Sequence, residues 1–245
     1  MVMQYIEGKS LLKHLAENPL SLEDRAKIIL IIADALGYAH QKGILHRDIK
    51  PANIMVARDG TPYLMDFGLV KFNEKNLALS RTSVGIITLK GQIVGTPQYM
   101  PPEQADDTQW EKVDQRSDVY SLGAVLYEVL TGREVIESEG QNAMGILYKV
   151  MKQPPIPPRQ IVPEIPQALE DICLKALQKG QEQRFQSVEE MAEALAEFLG
   201  CEKRQVKPKT GAQTARTRTG VRTATQTGAR TARVQSTSPK FALTF

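Results

Sequence analysis

Cysteine is scarce: Cys173 and Cys201 are the two in 245 residues. Two thiols so placed give neither a disulfide framework nor a metal-ligand spacing. Cys173 lies in an apolar helical pattern and reads as a buried thiol rather than a reactive one. Such usage fits a reducing cytosol. Long apolar runs are lacking as well. The longest, residues 28–33, is far too short to span a bilayer, and no signal peptide is visible at the start. A cytoplasmic location is expected, with a membrane anchor in a longer product left open. Acidic residues nearly vanish from the last part of the chain. Residues 201–245 hold ten Lys or Arg against one Glu, which leaves 21 basic and 27 acidic groups for residues 1–200. A formal net charge of +3 therefore hides a mildly acidic body and a strongly basic tail.

What is present suits a globular body: 42% apolar and 24% charged residues are ordinary proportions. The densest run of chemistry-bearing side chains is His46-Arg47-Asp48-Ile49-Lys50-Pro51-Ala52-Asn53. Thirteen residues past Asn53 comes Asp66-Phe67-Gly68. Between them, apolar residues 54–56 and 63–65 flank Arg58-Asp59-Gly60. Asp-Gly between short apolar runs predicts a hairpin with a two-residue turn. Such a hairpin holds Asn53 at one end and Asp66 at the other. Asp48 and Lys50 then lie beside them on the preceding loop.

These motifs resemble the catalytic core of the protein kinase family, serine/threonine type. Gly95-Thr96-Pro97 and Pro102-Glu103-Gln104 look like the bacterial branch. The resemblance covers about residues 1–200, as the C-terminal lobe with a hinge at residues 1–8. It implies a mainly helical lobe with a small β-hairpin. It also implies transfer of the ATP γ-phosphate to Ser or Thr hydroxyls of protein substrates, with Mg²⁺ as the metal. Asp48 then resembles the carboxylate that orients the acceptor hydroxyl and takes its proton. Lys50 reaches the transferring phosphoryl, and Thr96 hydrogen-bonds toward both. Asn53 and Asp66 resemble the Mg²⁺ ligands, with the hard oxygens that this metal prefers. Met3 stands at the gatekeeper position, Gln4, Tyr5 and Ile6 offer backbone groups to the adenine, and Met55 lies beneath it. His46 and Phe67, which precedes Gly68, join the family's regulatory stack. Glu103 is expected to pair with Arg184 in a buried structural ion pair. Pro101 stands where the family's usual motif has alanine. Asp118 is expected to grip the backbone of the catalytic loop.

Residues 66–103 form a long segment rich in Ser, Thr, Lys and Gly, which the resemblance makes the activation segment. Ser80, Thr82, Ser83 and Thr88 are its candidate phosphosites. Arg47 is the matching phosphate partner, because a bidentate Arg–phosphate pair orders a loop.

Helical periodicity marks most of the remaining body. Residues 10–18 predict a short helix closed by Pro19. Ser21-Leu22-Glu23-Asp24 predicts a capping box opening a helix to about Gln41. Residues 118–132 are apolar nearly all round and predict a buried central helix. Further helices are expected at 141–152 and 167–178, with a Pro-rich connector between them. Ser187-Val188-Glu189-Glu190 predicts a second capping box, opening a helix that ends at Gly200. From residue 202 onward Thr, Arg, Ala, Gly and Gln dominate. That composition buries too little apolar surface to offset ordering entropy, so residues 201–245 are expected to form a disordered Thr/Arg-rich basic tail. Its charge allows nonspecific contact with nucleic acid. No aromatic residues interleave it for base stacking, so no specific nucleic-acid partner is expected.

Three family motifs have no counterpart in these 245 residues: the Gly-rich phosphate loop, the strand lysine, and the helix glutamate that pairs with it. Two readings stay open on this gap. One is a fragment whose small lobe lies upstream. The other is a half-kinase that binds a partner chain and serves as a noncatalytic module.

Overall fold

The computed structural model describes residues 6–67, 97–137, 140 and 142–201. Met3, Gln4, Tyr5, Gly68, Thr96, the four candidate phosphosites and the tail from residue 202 lie outside the described residues.

The chain is mainly helical with a small antiparallel sheet. In order come β1 (Gly8–Ser10), α1 (Leu11–Glu17), α2 (Leu22–His40), β2 (Ile54–Ala57) and β3 (Pro62–Leu64). After them come α3 (Pro102–Ala105), α4 (Gln115–Thr131), α5 (Ala143–Lys152), α6 (Pro158–Ile161), α7 (Gln167–Ala176) and α8 (Val188–Phe198). The sheet order is β1-β2-β3, with Ser10 opposite Met55 and Met55 opposite Tyr63. Ile54 and Val56 point inward and are buried, while Met55 stands on the other face.

The predicted hairpin is there, but its turn is not a two-residue one. Gly60 N–H donates to Ala57 O at 3.0 Å, and Ala57 N–H donates to Thr61 O at 2.9 Å. Arg58, Asp59 and Gly60 therefore form a three-residue loop. Its last position is left-handed, with Gly60 at φ +83°. A type I turn closed by a left-handed glycine fits this loop length, whereas a two-residue Asp-Gly turn needs positive φ at both residues. Asp59 instead accepts a hydrogen bond from Thr61 N–H at 3.0 Å.

Helix α4 is the axis of the body. Every residue from Ser117 to Leu130 is buried. It starts three residues earlier than its apolar pattern because Asp114 caps it, accepting from Arg116 N–H at 2.8 Å. Helices α2, α7 and α8 pack around it. At Gly123 a β-carbon would stand 2.7 Å from that of Ala176, so α4 and α7 meet where a side chain is missing.

Caps set the ends of the outer helices. Ser21 Oγ accepts from Asp24 N–H at 3.1 Å and its hydroxyl donates back to the Asp24 carboxylate. The reciprocal bond to the Ser21 backbone is thus replaced by one to its side chain. Ser187 Oγ accepts from Glu190 N–H at 3.3 Å, and Glu190 returns to Gln186 N–H at 2.9 Å. Helix α5 starts at Ala143 because Asn142 caps it, its Oδ1 accepting from Gly145 N–H. The Pro-rich connector contains the one-turn α6, with Pro158 at its start, where a missing N–H costs nothing.

Candidate active site

The site is built on a loop held from below. Asp118, at the start of α4, is 1% exposed. Its Oδ1 accepts from Arg47 N–H and its Oδ2 from His46 N–H, each at 2.8 Å. His40, in the last turn of α2, reaches the same Oδ2 through Nε2 at 2.8 Å. Its Nδ1 is buried without a hydrogen-bond partner among the described residues. The tautomer with the proton on Nε2 fits both observations, since it buries no unpaired N–H. Sequence periodicity placed the α2 helix but gave His40 no role, because its partner lies 78 residues away.

The backbone above Asp118 is unusual. Arg47 has φ +65° and Asp66 φ +58°, the two left-handed non-glycine residues among those described. Each left-handed residue costs roughly 1–2 kcal/mol. The three donors gathered by Asp118 oppose that cost at Arg47.

His46 is fully buried, and each nitrogen of its ring has a partner. Its Nδ1 accepts from Asp48 N–H at 3.3 Å, so Nε2 carries the proton and donates to Met65 O at 2.9 Å. Its ring centre lies 4.9 Å from that of Phe67, at a 57° tilt.

Asp48, Lys50 and Asn53 form one hydrogen-bonded group. Lys50 Nζ donates to Asp48 Oδ2 at 2.8 Å. Asn53 Nδ2 donates to the Asp48 carbonyl at 2.8 Å and to Asp48 Oδ2 at 3.1 Å. The Asp48 side chain remains 58% exposed, so its second oxygen is open to an incoming group. Met65 N–H donates to Asn53 O at 2.8 Å, one step past the end of β3. That bond sets the exposed Asp66 beside Asn53 in the chain pairing. Met55 and Ile6 are half-buried.

Glu103 and Arg184 meet in the interior. Arg184 donates from Nη1 and Nη2 to the two carboxylate oxygens at 2.8 and 2.9 Å. Ser117 Oγ also donates to Glu103 at 2.6 Å. The remaining guanidinium hydrogens go to the carbonyls of Gln178, Arg116 and Lys179. Toward the other end of α4, Tyr99 Oη donates to Glu128 at 2.5 Å. Burial, and then the Glu128 carboxylate, push the Tyr99 phenol up, while burial also pushes Glu128 above the ordinary carboxylate range.

No cluster of three or more His, Cys, Asp or Glu able to hold a metal occurs among the described residues. A metal at Asn53 and Asp66 would thus complete its shell with phosphate oxygens and water, which is how Mg²⁺ is usually held. The amide nitrogen of Asn53 is engaged by Asp48, so its oxygen is the free end for a cation.

Residues 1–196 match the protein kinase domain. The chain belongs to the protein kinase family. Among curated relatives, it is 38% identical over 200 residues to a probable serine/threonine-protein kinase PknB of Bifidobacterium longum, covering 81% of this chain and 27% of that protein. It is 38% identical over 193 residues to serine/threonine-protein kinase PknB of Mycolicibacterium smegmatis, covering 78% of this chain and 29% of the relative. For the PknB of Mycobacterium tuberculosis the identity is 39% over 193 residues. This kinase-family chain spans less than a third of the length of these relatives. No helix among the described residues is long and apolar enough to cross a membrane.

Proposed function

We propose that this chain supplies the catalytic lobe of a serine/threonine protein kinase, which moves the γ-phosphoryl group of ATP to Ser or Thr hydroxyls of proteins. The observation that carries the reading is the Asp48–Lys50–Asn53 group, with Asp66 one residue past Met65, whose N–H donates to Asn53 O. Asp48 orients the acceptor hydroxyl and receives its proton. Lys50, 2.8 Å from Asp48, offsets charge on the moving phosphoryl. In this reading Thr96, which lies outside the described residues, hydrogen-bonds toward Asp48 and Lys50. Asn53 and Asp66 hold Mg²⁺, which when bound neutralises the phosphate oxygens. Met3, Gln4, Tyr5, Ile6 and Met55 contact the adenine. Residues 1–200 act as the lobe, in a cytoplasmic setting, and residues 201–245 as a solvated basic extension.

Arg47 fits a regulatory role in the same reading. Its Nε is buried without a partner among the described residues. A phosphate on Ser80, Thr82, Ser83 or Thr88 would supply the missing acceptor and order the segment.

Transfer of labelled phosphate tests the proposal, in a polypeptide that joins residues 1–245 to a kinase small lobe. Replacing Asp48→Ala should lower the rate by about 10²–10⁴-fold, the usual worth of a positioned base. Equal rates for the two proteins would overturn the catalytic reading in favour of a noncatalytic module.

A further inference from the structure

A polar cavity of about 240 Å³, lined by none of Asp48, Lys50, Asn53 and Asp66, is bounded by α3, the end of α5 and the turn at residues 179–182. Lys179 lines it. We propose that Lys179 is a site of covalent acylation, taking its acyl group from a small activated donor, an acyl phosphate or an acyl thioester.

The argument starts from what the amine touches. Lys179 Nζ donates to Val150 O at 2.7 Å and to Tyr120 Oη at 3.0 Å. It also stands 5.3 Å from the centre of the Tyr120 ring. Neither acceptor is a carboxylate. An uncharged amine has two N–H groups and one lone pair, so it keeps both bonds after losing a proton. The lone pair is then the part left over for the cavity.

The surroundings favour that uncharged form. Glu103 lines the cavity, but its charge is answered by Arg184 from behind. The Arg184 guanidinium lies 5.0 Å from the same Tyr120 ring centre that Lys179 faces. Asp106, Lys112, Lys152 and Glu182 line the remaining wall, with two charges of each sign. Burial, and then the Arg184 charge, bring the Lys179 ammonium down to about 8. A substantial neutral fraction near neutral pH is the condition for a nucleophilic lysine.

The step balances without any redox partner. The Nζ lone pair adds to the acyl carbonyl carbon. The tetrahedral adduct collapses, a C–N bond replaces the C–O or C–S bond, and phosphate or thiolate leaves. The amine proton passes to water. The product amide has one N–H, so it can serve Val150 O or Tyr120 Oη but not both. Val150 lies in the last turn of α5, where carbonyls lack helical partners. Acylation therefore breaks the bridge that Lys179 makes between Val150 at the end of α5 and Tyr120 of α4.

The test uses the full 245-residue chain in separate incubations with acetyl phosphate and acetyl-coenzyme A. Tryptic mass spectrometry follows Lys179, with the exposed Lys13 and Lys42 as internal references. At neutral pH Lys179 should be labelled about tenfold faster than either, reflecting its larger neutral fraction less the cost of access. Its rate should level off above about pH 8. In urea the advantage should disappear. Labelling by one donor alone names the source. Labelling no faster than Lys13 with both donors, or an advantage that persists in urea, overturns the proposal.

Discussion

Arg184 shows what one side chain contributes to the frame around the site. Its guanidinium is fully buried and engages five acceptors, two of them on Glu103. Replacing Arg184→Ala would leave a buried carboxylate with a hydroxyl and a distant amide as its donors. The expected loss is about 3–5 kcal/mol of folding stability, the usual cost of orphaning one member of a buried pair. Arg184→Lys should recover little of it, because an ammonium cannot reproduce the planar fork. Urea unfolding with a fixed slope is the check; a loss below about 1 kcal/mol would show that the pair is solvated. This contact was legible in sequence because Glu103 and Arg184 each sit inside a short motif. His40 was not legible. A single histidine in an apolar helix carries no local signal, and its meaning arises only where α2 passes Asp118.

At the scale of elements, local rules succeeded where a segment is periodic and capped. Helices α2 and α8 begin just after the Ser21 and Ser187 caps that the sequence marks. Replacing Ser187→Ala should cost about 1 kcal/mol, and amide exchange should quicken in the first turn of α8 before anywhere else. A uniform change across the body would argue against a local cap. Short elements escaped the same rules. Strand β1 reads Gly-Lys-Ser, with no alternation, and exists because its backbone pairs with β2. One-turn helices α3 and α6 begin at prolines, which in sequence read as breaks. The hairpin loop was placed correctly but one residue too short, because Asp-Gly serves both loop lengths and the difference lies in the φ of Asp59.

Across the whole molecule, the buried apolar core runs from Leu11 to Leu195. Residues 202–245 hold ten of the chain's 31 basic residues and two of its six phenylalanines. Deleting them should leave the thermal midpoint within about 2 °C, since a surface change within ±0.5 kcal/mol moves a domain of this size by no more than that. The same deletion should abolish any salt-sensitive retention on DNA. A large drop in midpoint would place part of that segment in the fold. Composition marks a division between body and extension, and that deletion tests it. The arrangement of helices around α4 was readable only in outline, from its apolar residues on all sides.

The absent side chain at position 123 has a reach beyond its own neighbourhood. Helix α4 settles against α7 to a depth fixed by the hydrogen that glycine carries there. Asp118 rides on that same rod, five residues back toward its start. A single added methyl would lift the rod, and with it the peg on which Arg47 hangs in its left-handed turn. The aim of Asp48 is therefore adjusted from the far side of the lobe, by a carbon atom that is not there.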